Sequence, residues 1–119
     1  VGASADVENS IVSEGCEIDG KVDYSILFNN VTVEKGAVVR DSIVMPGTVI
    51  KSGAIVEYAM VAENCVIGEN AHIGCSPENM SDLQKWGVAV VGNNVSVGKD
   101  ASVLPQSMIS SDVKAGETV

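Results

Sequence analysis

An all-β chain wound into a single-stranded parallel β-helix, with about six coils and one irregular loop, is the fold class this sequence predicts. The first observation behind it is a motif recurring every 17 residues from Val22, Val39 and Val56, which reads VDYSILFNNVTVEKGAV, VRDSIVMPGTVIKSGAI and VEYAMVAENCVIGENAHI. The second is a run of four consecutive hexapeptides, VGNNVS, VGKDAS, VLPQSM and ISSDVK, anticipated by IGENAH at 67–72. The third is composition. Apolar residues make up 45% of the chain but aromatics only 3%, which suits a narrow pleated interior where β-branched side chains fit and rings do not.

Residues 1–21 read as the same coil in less regular form, with Val1, Val7, Val12 and Ile18 on its sides. VENSIV at 7–12 matches VDYSIL, VRDSIV and VEYAMV, but Val7 and Val22 are only 15 residues apart. That turn is therefore shortened, with Gly15 and Gly20 at sharper corners. The chain opens on Val1 rather than Met and is read as a piece of a longer polypeptide, whose remainder covers the open end of the solenoid.

In the central copies the large aliphatic residues fall at Val22, Leu27 and Val33, then Val39, Val44 and Ile50, then Val56, Val61 and Ile67, with Ile73 opening the next turn. No 3.6-residue helix produces this spacing, whereas a three-sided coil of short strands does. One aliphatic side chain per side is expected to face the axis. A small residue four positions on, as at Ala37, Ala54, Cys65 and Ala71, is expected to face inward beside the corner. Like stacks on like, so each coil covers the apolar face of the one below, over a height on the order of 30 Å at about 4.8 Å per coil.

Residues 74–86, GCSPENMSDLQKW, break the rhythm and are expected to fold over one face. Ser76-Pro77 followed by Glu78 and Asn79 predicts a turn or one turn of helix. Trp86 is the expected anchor, either as simple packing or as a contact for a ligand or another domain. Coils then resume over 87–119 with sides at Val91, Val97, Val103 and Ile109, so that 1–119 reads as one domain.

Seven basic against sixteen acidic residues give a net charge of −9, and the basic ones are scattered, so neither nucleic acid nor a membrane is an expected partner. Three cysteines without a C-x-x-C, one of them at an inward position, suit a reducing cytoplasm. Nucleotidyl transfer needs a glycine-rich loop, carboxylates for Mg²⁺ and a cluster of cations. Two adjacent glycines never occur here and there is one arginine, so no catalytic, cofactor-binding or metal-binding residue is assigned. A three-histidine metal site fails on count, since His72 is the sole histidine. His72, outward beside a corner, is read as solvated or packed between subunits, and its place also leaves open the role of general base in an acyl transfer at a subunit interface. Outward Val38, Ile43 and Val49 point either to a covered face or to corner lining.

The hexapeptides resemble those of the left-handed parallel β-helix, which sets the expected hand. NSIV, DSIVMPGTVI, EGCEI, YSILF and the late WGVAVVG resemble more closely the C-terminal domain of bacterial glucose-1-phosphate adenylyltransferases (ADP-glucose pyrophosphorylases), over nearly the whole chain. The resemblance implies a cytoplasmic homo- or hetero-tetramer that makes ADP-glucose and pyrophosphate from ATP and glucose 1-phosphate in glycogen biosynthesis. An N-terminal nucleotidyltransferase domain, absent from this chain, is then expected to bind ATP and Mg²⁺. The β-helix would serve oligomerisation and allosteric regulation, forming sites for a phosphorylated sugar effector against that domain, and would be inactive alone. Where relatives often carry an effector-binding lysine after VVG, this sequence has Asn93. Lys99, Lys85 and Arg40 are the alternative cations, and Trp86 completes the effector or interface candidates. Rival readings are a non-catalytic paralogue subunit, the β-helix of another sugar-1-phosphate nucleotidyltransferase, and a hexapeptide acyltransferase.

Overall fold

The structure is a computed structural model that describes residues 2, 3 and 5–119. Among the described residues seventeen short strands form three parallel sheets of six, six and five strands, and each sheet is one face of a solenoid. The first face holds Asp6–Glu8, Lys21–Asp23, Val38–Arg40, Ile55–Glu57, His72–Ile73 and Ser102–Val103. The second holds Ile11–Val12, Ile26–Leu27, Ile43–Val44, Ala59–Val61, Ala89–Val91 and Met108–Ile109. The third runs from Glu17–Ile18 through Thr32–Val33, Val49–Ile50 and Val66–Ile67 to Ser96–Val97.

Strand register follows the sequence period. Val22 pairs with Val39, Val39 with Val56 and Val56 with Ile73, so each valine roofs the one before it. The expected ladder is buried from Ile18 through Val103, and Ala37, Ala54, Cys65 and Ala71 are inward beside it. Val12 and Ile109 pack against this core only partly. Val7 differs from expectation. It keeps register with Val22 but is 36% exposed, because among the described residues no coil lies beneath it. Val1 lies outside the described residues.

Serines explain a repeat that side-chain size alone does not. Ser10 Oγ accepts the N–H of Ser25, Ser25 Oγ that of Ser42, and Ser42 Oγ that of Ala59, at 3.1–3.2 Å. Each of these hydroxyls donates to a carbonyl two residues back, at Glu8, Asp23 and Arg40. The ladder satisfies corner N–H groups that the sheets cannot reach, and it ends at Ala59, which has no hydroxyl.

Corners require left-handed backbone. Gly15 (φ 78°), Asn30 (62°), Gly47 (79°) and Asn64 (55°) occupy equivalent positions between the second and third faces, as expected for residue types that tolerate this region. Gly20 does not have the sharp-corner conformation expected of it. Its φ is not positive, and it is small because a Cβ would lie 2.5 Å from the Ala37 carbonyl oxygen.

Candidate functional site

The site grows from the first face. On its outer side the residues after the inward valines stack as Asp23, Arg40 and Glu57. The next rung is Gly74 (φ 80°), where a Cβ would sit 2.0 Å from the Glu57 carbonyl oxygen. Only glycine lets the chain turn away there, and residues 74–86 follow as the excursion.

Two single-turn 3₁₀ helices shape the excursion. Pro77–Asn79 is capped by Ser76, whose hydroxyl accepts from the Glu78 N–H, and Leu83–Lys85 is capped by Asp82, which accepts from the Gln84 N–H. Trp86 anchors the far end. Its indole N–H donates to the Cys75 carbonyl at 2.7 Å, and its ring meets Tyr58 edge-on at 5.9 Å. From the next turn, Gln106 Nε2 donates to the carbonyls of Gln84 (3.0 Å) and Trp86 (2.8 Å). The loop is thus fastened both to itself and to the solenoid.

Where the loop crosses the face, Glu57 is 1% exposed. A carboxylate this deep must be paired. Arg40 donates to Oε1 from both Nε and Nη2, and His72 Nε2 lies on Oε2. Two cavities flank the loop. One of about 450 Å³ is lined by His72, Cys75, Met80, Lys85, Leu104 and Gln106. The other, about 280 Å³, lies between Arg40, Asp41, Tyr58, Ser76, Glu78 and Asn79.

Of the residues singled out from sequence, Arg40, Lys85 and Trp86 gather around this loop, and His72 joins them. Asn93 and Lys99 do not. Each sits at an exposed corner, Asn93 with its Oδ1 accepting the Glu63 N–H at 3.0 Å. Glu57 was missed by sequence reasoning. Its signal was its distance from Arg40, one period of 17 residues, which places opposite charges on adjacent rungs. Among the described residues no cluster of His, Cys, Asp or Glu has the makings of a metal site, and no helix is long and apolar enough to cross a membrane.

A family model described as "GlmU-like, C-terminal hexapeptide" matches residues 2–92. Proteins named glucose-1-phosphate adenylyltransferase from Bacillus thuringiensis (strain Al Hakam) and Bacillus mycoides (strain KBAB4) are each 53% identical over 47 residues. That stretch is 40% of this chain and 12% of each relative's length. A crystal structure of a hexapeptide transferase family protein from Anaplasma phagocytophilum superposes with a TM-score of 0.72 at 17% identity, covering 98% of this chain and 70% of that one. At that identity the likeness is one of fold.

Proposed function

Because the chain belongs to the GlmU-like C-terminal hexapeptide family, we propose that it is the assembly and regulatory β-helix of a glucose-1-phosphate adenylyltransferase. The observation that carries this reading is the 53% identity over 47 residues to proteins of that name. Catalysis belongs to a nucleotidyltransferase domain elsewhere in the parent protein, where ATP and Mg²⁺ bind. This domain holds subunits together in a cytoplasmic tetramer and offers a phosphorylated sugar effector a cation beside the loop, either Arg40 with Tyr58 in the smaller cavity or Lys85 in the larger. Asn93 is engaged with the Glu63 N–H and supplies no charge.

Pyrophosphate release by the parent enzyme, offered ATP, GTP or UTP with glucose 1-phosphate, tests the proposal, with the isolated chain assayed alongside. Turnover with ATP alone, and none from the chain, is the expected result. Turnover with another nucleotide replaces the enzyme's name, and a well-folded inactive parent makes it a non-catalytic subunit.

One observation favours a second reading, acyl transfer. His72 is held by the buried Glu57 carboxylate and lines the larger cavity, the arrangement a general base needs. Thiol release from acetyl coenzyme A in the presence of an amino sugar, lost in His72→Asn, would establish it.

A further inference from the structure

The two cavities that flank residues 74–86 differ in the chemistry of their walls. The smaller is polar, and its Asp41, Ser76, Glu78 and Asn79 suit the hydroxyls of a sugar. The larger, of about 450 Å³, has the size of a small-molecule site and a mostly apolar wall. Met80 comes to it from the loop, and Leu104 and Pro105 come from the corner after Ser102–Val103 on the next coil. Leu104 is 52% exposed, so an apolar body laid on it would cover side-chain surface that faces water. Among the lining residues none is Phe, Tyr or Trp, so no aromatic ring selects a flat, stacked ligand.

The larger cavity holds one uncompensated charge. Lys85 lines it and no carboxylate does. Among the described residues both ion pairs belong to Glu57, so Lys85 neutralises no partner in a chain of net charge −9. Ser102 adds a hydroxyl beside His72, its register partner. The remaining polar groups are committed. His72 Nε2 lies on Glu57, and Gln106 Nε2 donates to the carbonyls of Gln84 and Trp86. Those bonds, with the Trp86 indole N–H on the Cys75 carbonyl, fix the loop wall, so the cavity is built before any ligand arrives.

We propose that this cavity binds a linear aliphatic monocarboxylate, its carboxylate on Lys85 and its chain along Leu104 and Met80. The inference goes beyond the sugar effector, which keeps the polar cavity. A phosphorylated sugar presents hydroxyls on every side and a doubly charged head, and burying these against an apolar wall with one ammonium leaves them unpaired. A single point charge matches a single carboxylate, and the unbranched Met80 thioether adapts to a chain of variable course.

NMR titration of the 119-residue chain, methyl-labelled at its four methionines, tests this with butanoate, hexanoate and octanoate. Octanoate should shift the Met80 signal saturably and leave Met45, Met60 and Met108, which lie on or beside the second face, in place. Each added methylene should tighten binding about fourfold. Lys85→Gln should weaken octanoate binding about fivefold, since the ammonium is exposed. Leu104→Ser should keep the ion contact and flatten the dependence on chain length, and it serves if circular dichroism finds Lys85→Gln unfolded. No Met80 shift by about 10 mM octanoate overturns the proposal. So does equal binding of butanoate and octanoate, a shift confined to Met60 and Met108, full affinity in folded Lys85→Gln, or glucose 6-phosphate moving Met80 at lower concentration than octanoate. The parent enzyme and its nucleotide do not enter the titration, so the cavity and the enzyme reading fail separately.

Discussion

Arg40 stands one coil from Glu57 and gives the same carboxylate oxygen two hydrogen bonds, from Nε at 3.2 Å and Nη2 at 2.9 Å. The guanidinium is itself nearly half exposed while its partner is buried. Removing it by Arg40→Ala leaves a buried carboxylate with His72 alone, at an expected cost of about 1–3 kcal/mol, the exposure of Arg40 keeping the loss below that of a fully buried pair. Arg40→Lys should recover part of this, since one ammonium cannot reproduce the fork. Urea unfolding of the three proteins measures both effects.

Val44 is wholly buried between Leu27 and Val61, its register partners on adjacent coils. Val44→Ala removes packing from both neighbours at once, and should lower stability by about 1–3 kcal/mol in the same unfolding experiment.

Ser42 links two coils through one hydroxyl, donating to the Arg40 carbonyl and accepting from the Ala59 N–H. Ser42→Ala orphans that buried N–H, for an expected loss of about 1–2 kcal/mol. Ser10→Ala, at the less buried end of the ladder, should cost less. Amide hydrogen exchange adds a local readout: the Ala59 amide should exchange faster in Ser42→Ala and unchanged in Ser10→Ala.

Tyr24 takes φ +47° at the corner between the first and second faces, a conformation that bulky L-residues resist. The equivalent corner positions on adjacent coils are Asn9 (φ 50°) and Asp41 (φ 49°), residue types that tolerate it. Tyr24→Asn should therefore raise stability by about 0.5–1 kcal/mol, read as a higher melting temperature. An unchanged or lower value would mean that the ring contributes packing worth more than the strain.

Burial pushes the Cys65 thiol up from its ordinary pKa, against weaker opposition from hydrogen bonds with backbone and Thr48. Its thiolate is therefore scarcer than an ordinary one, and iodoacetamide at neutral pH should alkylate the less buried Cys16 and Cys75 first. The same shift sets a pH dependence. With the folded value raised, the unfolded chain releases its proton first as pH climbs past the ordinary thiol range, so stability should fall there and be unaffected at neutrality. Cys65→Ala should remove that alkaline decline.

Most of the solenoid was legible because one physical rule, an aliphatic side chain per flat side, writes itself into sequence as a period. Val39, Val44 and Ile50 could be assigned to the axis before any coordinate was known, and Ser76-Pro77 announced its helical turn through capping chemistry alone. The site was legible only in pieces. A carboxylate at an outward rung reads as solvated, whereas Glu57 is buried between Arg40 and His72, its partners on the two adjacent coils. The loop beside it is fastened in part by Trp86 meeting Tyr58, a contact between residues 28 apart with no periodic signature. Gly20 misled for a related reason, since its smallness answers to the Ala37 carbonyl of the next coil rather than to its own backbone angle.

In-register stacking turns distance in this molecule into a whole number. Excising residues 22–38 would seat Val39 over Val7, leave Arg40 beside Glu57 and lower the loop by one step of about 4.8 Å, with every remaining rung still matched. The loop is thus mounted on a ruler. Duplication or loss of a single coil moves it nearer to or farther from whatever lies at the other end of the solenoid, and the loop's own chemistry need not change for it to reach a different neighbour.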